Sequence, residues 1–165
     1  MSRTETTFAV MSILFCGAIF GFFYAWVCST MWGLDGADPR VAIAAMQAMN
    51  GSVRNAVFFP AFFLTPVVLA ATAAMFFLRG RKAPAGWFLA AAVVYLVFGL
   101  FLTMSVNVPM NEALASVAVP DDIEAARTIW QDYSGRWQFW NQVRAVASGL
   151  SLALAAMGLV QAGRA

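Results

Sequence analysis

Residues 137–144 have the sequence Trp-Gln-Phe-Trp-Asn-Gln-Val-Arg and open the last long apolar segment of the chain. The residues that follow, 145–159, are apolar apart from two serines, so the segment is long enough to cross a bilayer as a helix. Arg144 therefore lies within the apolar segment. At about 1.5 Å of helical rise per residue it is roughly 10 Å below Trp137, a depth at which a charge facing lipid is costly.

Arg144 shares one helical face with other polar and aromatic side chains. Trp137, Asn141 and Arg144 are spaced i, i+4 and i+7, and Trp140 lies about one turn from the arginine. Charged residues at this depth usually face the interior of a helix bundle and mark a functional site, which is the interpretation we favour. The alternative is structural, with the arginine reaching the membrane surface or tying two helices together.

The composition of the whole chain is that of a membrane protein. Of its 165 residues, 62% are hydrophobic and 11% are charged, whereas about 25% are charged in an average soluble domain. Four segments are long and apolar enough to span a bilayer: 8–32, 57–78, 85–106 and about 137–159. The sequence therefore predicts an all-α membrane protein, with one domain that is a four-transmembrane-helix bundle.

Basic residues predict the orientation of this bundle. The short loop after the second span contains Arg79, Arg81 and Lys82 without an acid, and acidic residues concentrate in the two longer connections. By the positive-inside rule, both termini are expected in the cytoplasm and the longer connections outside, in the bacterial inner (plasma) membrane. The first apolar segment exceeds the length of a signal-peptide core, so we expect it to be a permanent span.

A short helix is expected on the outer face between spans 1 and 2. Asp38 and Pro39 are typical of an N-cap and a first helical turn, and the helix should run to about Arg54. It is too short and too polar to cross the membrane. Gln47, Asn50 and Arg54 are spaced i, i+3 and i+7 and form one stripe, which faces either water or a site within the bundle.

Two prolines are expected to distort the second and third spans. Pro66 should kink its helix and free a backbone carbonyl near the bundle interior. Pro109 should disturb the end of the third span, where Asn107 and Asn111 are four residues apart. After this, residues 116–132 are expected to form a polar connection that contains an amphipathic helix and acts as a lid or a cap.

Three parts of the chain therefore bring polar side chains toward the outer third of one bundle. Carboxamide and guanidinium groups donate hydrogen bonds to an oxygen, and aromatic faces cover a flat ring. Together they predict a pocket for a flat, partly anionic organic molecule. The three groups are Gln47, Asn50 and Arg54; Asn107, Asn111 and Glu112; and Trp137, Asn141 and Arg144.

Three motifs contain most of these residues. They are Ala-Ala-Met-Gln-Ala-Met-Asn at 44–50, followed by Arg54-Asn55; Val-Asn-Val-Pro-Met-Asn-Glu at 106–112; and Trp-Asn-Gln-Val-Arg at 140–144, preceded by Trp130, Tyr133 and Trp137. Together they resemble the DUF1772, or anthrone oxygenase-like, family of integral membrane proteins. The resemblance runs from the first span to the last.

The resemblance implies a membrane oxygenase. The fungal members of the family oxidise anthrones to anthraquinones with molecular oxygen and without an added metal or flavin. The family commonly has a histidine where this chain has Gln142, and this chain contains no histidine. If that histidine is the base in active relatives, this protein uses another base or carries out different chemistry.

The residues themselves also point away from a metal site. Without histidine, haem ligation through that residue is impossible, and Cys, Met and carboxylate side chains are not clustered in the sequence. We therefore expect no metal and no other cofactor. The expected partners are a small lipophilic aromatic substrate, molecular oxygen and the lipid bilayer, without nucleic acid, and a homo-oligomer is compatible with the sequence.

For an anthrone-like substrate, each predicted site residue has an expected role. Glu112 is the candidate base that removes a benzylic proton, and Arg144 and Asn141 stabilise the enolate that oxygen then oxidises. The expected substrate-binding residues are Gln47, Asn50, Arg54, Asn107, Asn111, Trp137, Trp140 and Gln142.

The competing class is a non-catalytic membrane module, either a binder of a lipophilic small molecule or an accessory subunit of a membrane complex. A transporter is disfavoured because the chain has no internal repeat and no acid within its spans. A thiol oxidoreductase is disfavoured because Cys16 and Cys28 are twelve residues apart on one predicted helix, which separates them by about 18 Å and prevents a disulfide.

Overall fold

The computed structural model describes residues 1–164, and every regular element in this range is helical. Short π-helical segments at Trp26–Thr30, Tyr95–Phe101 and Thr103–Asn107 connect some of the α-helices. The α-helices are α1 (Arg3–Ala25), α2 (Met31–Asp35), α3 (Pro39–Ser52), α4 (Phe58–Leu78), α5 (Lys82–Val94), α6 (Val108–Ala115) and α7 (Ile123–Arg164).

Four continuous helical stretches are long and apolar enough to cross a membrane: Arg3–Asp35, Phe58–Leu78, Lys82–Ala115 and Ile123–Arg164. The predicted fold class is therefore confirmed. The first and third stretches remain continuous through their π-helical segments, because the wider turns shift the helix register without ending it.

The fourth span is longer than predicted. The predicted amphipathic helix is present, because α7 begins at Ile123, but it continues without a break into the span. The polar connection covers only the residues between Ala115 and Ile123, so the prediction of a connection over 116–132 was wrong. No proline interrupts the chain between Ile123 and Trp137, and the buried side chains of Trp130 and Tyr133 pack against α2 and α3. Burial of this aromatic face favours continuation of the helix well beyond the apolar segment.

The third span also continues past its predicted end at Val106, to Ala115. Pro109 occupies the first turn of α6, where a missing backbone N–H is tolerated, directly after the π-helical segment. The expected disturbance therefore takes the form of a wide turn at Thr103–Asn107.

The helix α3 is present between the first two spans, as predicted, and ends at Ser52. The Asp38 carboxylate caps it by accepting the Arg40 backbone N–H at 2.9 Å. Its buried face, which includes Ile43 and Met46, packs against the aromatic residues of α7. As a result, α3 covers one end of the bundle.

The opposite end of the bundle, which holds both described termini, is closed by an ion-pair cluster. The Glu5 carboxylate is buried and lies 3.3 Å from Arg79 Nη1 and 3.2 Å from Arg81 Nη1. Behind it, the stacked rings of Phe76 and Phe88 fill the core with centroids 5.7 Å apart. This end is packed with small and aromatic side chains and has no part in the cavity described below.

The backbone carbonyl that Pro66 leaves without a partner in its own helix, that of Phe62, accepts a hydrogen bond from a neighbouring helix. Pro66 has no N–H for the carbonyl of Phe62, and Tyr95 Oη donates to that oxygen at 2.9 Å in the bundle interior. This confirms the expected free carbonyl and gives the buried tyrosine a structural role. Gly99 permits the arrangement, because a Cβ at that position would lie 2.7 Å from the Tyr95 ring.

Candidate functional site

A cavity of about 300 Å³ lies below α3, between α1, α4, the third span and α7. Its walls are mainly aromatic and belong to different helices, which places flat apolar surfaces on several sides. The lining side chains include Phe22, Phe23, Trp26, Phe58, Phe59, Phe62, Phe63 and Trp137, together with Asn50, Arg54, Thr103, Asn111, Glu112 and Arg144.

Arg144 is the buried charge of this cavity, with only 5% of its surface exposed. Its Nε donates to Asn141 Oδ1 at 2.9 Å, and its Nη1 donates to Thr103 Oγ1 at 3.4 Å. The guanidinium carbon lies 4.4 Å from the centre of the Phe23 ring and 5.0 Å from that of Trp137. Desolvated contacts of a cation with aromatic faces are worth about 2 kcal/mol each, so the rings help to hold the charge in the apolar interior.

No carboxylate neutralises this cation. Across residues 1–164, the ion pairs within 4.0 Å involve Arg40, Arg54, Arg79, Arg81 and Arg127, but not Arg144. Only two of the five guanidinium N–H groups of Arg144 are used by the bonds to Asn141 and Thr103. A buried cation with free donors next to a cavity is suited to an anionic or strongly electron-rich oxygen.

Asn111 supplies a second donor to the same cavity. Its Oδ1 accepts hydrogen bonds from Tyr133 Oη at 2.9 Å and from Trp137 Nε1 at 2.8 Å. These two bonds fix the orientation of the amide, because both partners are donors. The Nδ2 group is consequently left free of hydrogen bonds to the described residues and is available to a ligand oxygen.

Glu112 and Arg54 form an ion pair at the rim of the cavity. The pair joins α6 to the chain just after α3, and both side chains are about half exposed, at 54% and 51%. Glu112 is the one carboxylate among the residues that line the cavity. Its position allows contact both with a bound molecule and with the surface of the protein.

The structure brings some of the predicted site residues together and places others elsewhere. Asn50, Arg54, Asn111, Glu112, Trp137 and Arg144 line the cavity, whereas Gln47, Asn107, Trp140, Asn141 and Gln142 do not. Gln47 is a structural link, since its Nε2 donates to the carbonyl oxygens of Leu114 and Val117 at 2.9 Å each. Gln142 is exposed, on a different face of α7 from Arg144.

Asn141 and Asn107 lie behind the cavity wall. Asn141 supports Arg144 and donates from Nδ2 to the backbone oxygen of Phe23 at 3.3 Å. Asn107 is fully buried, and neither its Nδ2 nor its Oδ1 has a hydrogen-bond partner within the described part of the chain. It lies one helical turn from both Thr103 and Asn111, so all three belong to one stripe of the third span.

Sequence reasoning missed Thr103 and the aromatic residues of the first two spans. Thr103 had a weak signal, because it is one of few polar residues in the interior of its span. Phe22, Phe23, Phe58 and Phe62 had none, since aromatic residues in a spanning helix face lipid, core or cavity with no difference in local sequence.

The fold and the cavity define a small helical membrane protein with an internal, aromatic-walled cavity that contains a buried guanidinium group. A family model described as anthrone oxygenase matches residues 52–154, which is most of the chain. The protein therefore belongs to the anthrone oxygenase family, as the motifs indicated, and at the level of the family this supports a membrane oxygenase-like function. No curated protein and no solved structure matches the chain.

Proposed function

We propose that this protein is a cofactor-independent membrane oxygenase that acts on an anthrone-like or other electron-rich aromatic molecule. The observation that carries the proposal is the buried guanidinium of Arg144, which faces an aromatic-walled cavity and has no carboxylate partner among the described residues. A neutral aromatic ligand would leave that charge uncompensated, whereas the enolate of an anthrone would neutralise it.

The first step is removal of a proton from the benzylic CH₂ group of the substrate. Glu112 is the proposed base because its carboxylate lines the cavity and, at the half-exposed rim, can pass the proton on. The resulting enolate oxygen accepts hydrogen bonds from Arg144 and from the free Nδ2 of Asn111. Fixed donors in an apolar cavity stabilise this developing charge more than water would.

The second step is oxidation of the enolate by molecular oxygen. One electron passes from the enolate to O₂, and the carbon radical and superoxide then combine to form a C–O bond and a peroxide. The peroxide takes up a proton and becomes a hydroperoxide. The remaining C–H proton and a hydroxide ion then leave together as water, and a carbonyl group forms at that carbon. The balance is anthrone plus O₂ to anthraquinone plus water, with two hydrogens leaving the substrate carbon and one oxygen atom replacing them.

We assign the reaction with O₂ to the substrate anion because the described residues offer no cluster of side chains suited to bind a metal ion. Within residues 1–164, no three side chains of Cys, Asp or Glu are close enough together to share a metal ion, and the chain lacks histidine. The proposed role of the protein is to exclude water, to hold the ring and to lower the energy of the anion.

We also propose that both termini lie in the cytoplasm. Arg79, Arg81 and Lys82 lie at the same end of the bundle as Glu5, and the cavity and α3 lie at the other end. With basic residues inside, the rim formed by Arg54 and Glu112 faces the outer side of the membrane.

Oxygen uptake by the detergent-purified protein with a simple anthrone tests the proposed function. We expect uptake above the spontaneous rate in the wild type and its loss in Arg144→Ala. Arg136→Ala is the matched control, because Arg136 is exposed on the same helix and does not line the cavity. Uptake at the spontaneous rate in the wild type would contradict the oxygenase.

A second candidate is a non-catalytic module that binds a lipophilic small molecule. The observation in its favour is that the Glu112 carboxylate, the proposed base, is already engaged by Arg54 in an ion pair at the rim. Tight binding of a hydroxyanthraquinone without any oxygen uptake from an anthrone would support the module.

A further inference from the structure

A second, open space lies beside the cavity, between α1, the start of α4 and the residues that join α3 to α4. This groove has a volume of about 510 Å³ and is lined almost entirely by apolar side chains, including Ala18, Ile19 and Ala61. The residues of α1 that line it, from Ala18 to Trp26, occupy the middle of the predicted first span. In a bilayer the groove therefore opens to acyl chains.

Five residues line both the groove and the cavity and form the wall between them: Phe22, Trp26, Met49, Val53 and Phe58. Phe22 on α1 and Phe58 on α4 line both spaces, and their ring centroids are 4.7 Å apart. Both side chains are only partly buried. If these two rings rotate away from each other, the groove and the cavity become one continuous space.

The outer end of the cavity, next to α3, is held by polar contacts. Gln47 ties α3 to the carbonyl oxygens after α6, Arg54 pairs with Glu112, and Arg40 Nη1 donates to the backbone oxygen of Asp121 at 3.1 Å. Opening the cavity toward the outer surface requires the loss of such contacts.

Between α1 and α4, by contrast, the polar side-chain contacts found in residues 1–164 are the ion pair of Glu5 with Arg79, the C-cap of α4, and the hydrogen bonds of Thr72. Its Oγ1 lies 2.9 Å from Ser12 Oγ and donates to the Phe8 backbone oxygen at 3.3 Å, near the end of the bundle that holds the termini. At the level of Phe22 and Phe58 the two helices meet through apolar contacts alone. Separation of α1 and α4 at this level therefore breaks no side-chain hydrogen bond and no ion pair among the described residues.

The geometry points to a lateral access route, in which an aromatic substrate dissolved in the bilayer passes between α1 and α4 into the cavity, with Phe22 and Phe58 as the gate. This inference rests on the proposed function, because it takes its substrate class from the cavity. A planar lipophile concentrates in the membrane and meets the apolar groove there without crossing water.

The experiment measures association and dissociation of a monohydroxyanthraquinone with protein in phosphatidylcholine vesicles, followed by quenching of tryptophan fluorescence. Trp26 and Trp137 line the cavity and report on the probe. Phe58→Ala should raise both rate constants by about fivefold, the factor expected from loss of one aromatic pair, with a smaller change in Kd. Phe58→Trp should lower both rate constants.

Two further variants separate the routes. Phe77→Ala removes the same side chain from an exposed position of α4 far from the groove and should leave both rate constants unchanged. Glu112→Gln removes the ion pair at the rim and should not speed association. Faster association in Glu112→Gln together with unchanged rates in Phe58→Ala would overturn the lateral route in favour of access from the water side.

The result also distinguishes the route from the proposed function. Probe binding whose rates respond to Phe58→Ala supports the route even if no oxygen is consumed. If the wild type binds the probe but neither Phe58→Ala nor Phe58→Trp changes the rate constants, the lateral route is overturned and the proposed oxygenase function is unaffected. Failure of the wild-type protein to bind the probe contradicts the aromatic cavity and the route together.

Discussion

Asn141 Oδ1 accepts a hydrogen bond from Arg144 Nε at 2.9 Å, one helical turn away on α7. The amide cannot rotate freely, because its Nδ2 is bound to the backbone oxygen of Phe23. A neutral side chain thus orients the arginine and leaves its charge uncompensated. A carboxylate in the same place would still accept from Arg144 Nε and would neutralise its charge, although it could no longer donate to the Phe23 oxygen.

Asn141→Asp should therefore strongly reduce function while the protein remains folded. The new carboxylate would pair with Arg144, and an anionic ligand would lose its counter-charge, so kcat/KM should fall by about tenfold or more. Oxygen uptake and the melting temperature in detergent measure the two effects. Gln131→Glu, which adds the same charge on an exposed part of α7, is the control.

Asn111→Ala should give a smaller defect of the same kind. It removes one donor to the ligand oxygen and leaves Tyr133 Oη and Trp137 Nε1 without their shared acceptor. Loss of one such hydrogen bond should reduce transition-state stabilisation by about 1–3 kcal/mol. Arg144→Ala removes a charge as well and should reduce it further. Comparison of kcat/KM for the two variants provides the measurement, and a larger defect in Asn111→Ala would reverse the proposed order.

Tyr95→Phe should lower stability by about 1–3 kcal/mol, because the buried Phe62 carbonyl then loses its donor. Thermal unfolding in detergent measures the change, with Tyr24→Phe as a control at an exposed tyrosine. In a Pro66→Ala background, the new backbone N–H can bond to the same carbonyl. The cost of Tyr95→Phe should shrink there, and an equal cost in both backgrounds would contradict this account.

The ionised carboxylate of Asp38 should stabilise the folded protein at neutral pH and lose this effect in acid. The side-chain and backbone N–H groups of Arg40 lower the pKa of the Asp38 carboxyl to about 2. Because the folded-state pKa lies below the unfolded value of about 4, the contribution is complete above that value and is lost as pH falls toward 2. Melting temperatures of the wild type and Asp38→Asn should converge over this range, and a constant difference would contradict stabilisation by the ion pair of Asp38 with Arg40.

The parts of the fold set by local sequence were predictable. Apolar length located the four spans, and Asp38 with Pro39 located the start of α3, because capping and bilayer thickness act on short stretches of chain. The depth of Arg144 in an apolar segment likewise predicted its burial. Each of these conclusions needed no knowledge of a neighbouring helix.

Features that depend on packing between helices were not predictable. The continuation of the amphipathic helix from Ile123 directly into the fourth span accompanies burial of Trp130 and Tyr133 against α2 and α3, which no local pattern encodes. Gln47 and Asn50 lie on one predicted stripe, yet only Asn50 lines the cavity, because Gln47 meets carbonyl oxygens after α6. The predicted helical stripe therefore indicated which residues lie near the cavity, but not which of them line it.

The most direct test of the central claim, that Arg144 stabilises an anion inside the cavity, is the ionisation of a bound monohydroxyanthraquinone followed by its visible absorbance. With the wild type, the phenol pKa of the bound probe should fall by about one unit or more relative to the same probe in protein-free detergent micelles. Arg136→Ala should retain this shift and Arg144→Ala should lose it. An equal phenol pKa for probe bound to the wild type and to Arg144→Ala would contradict the account.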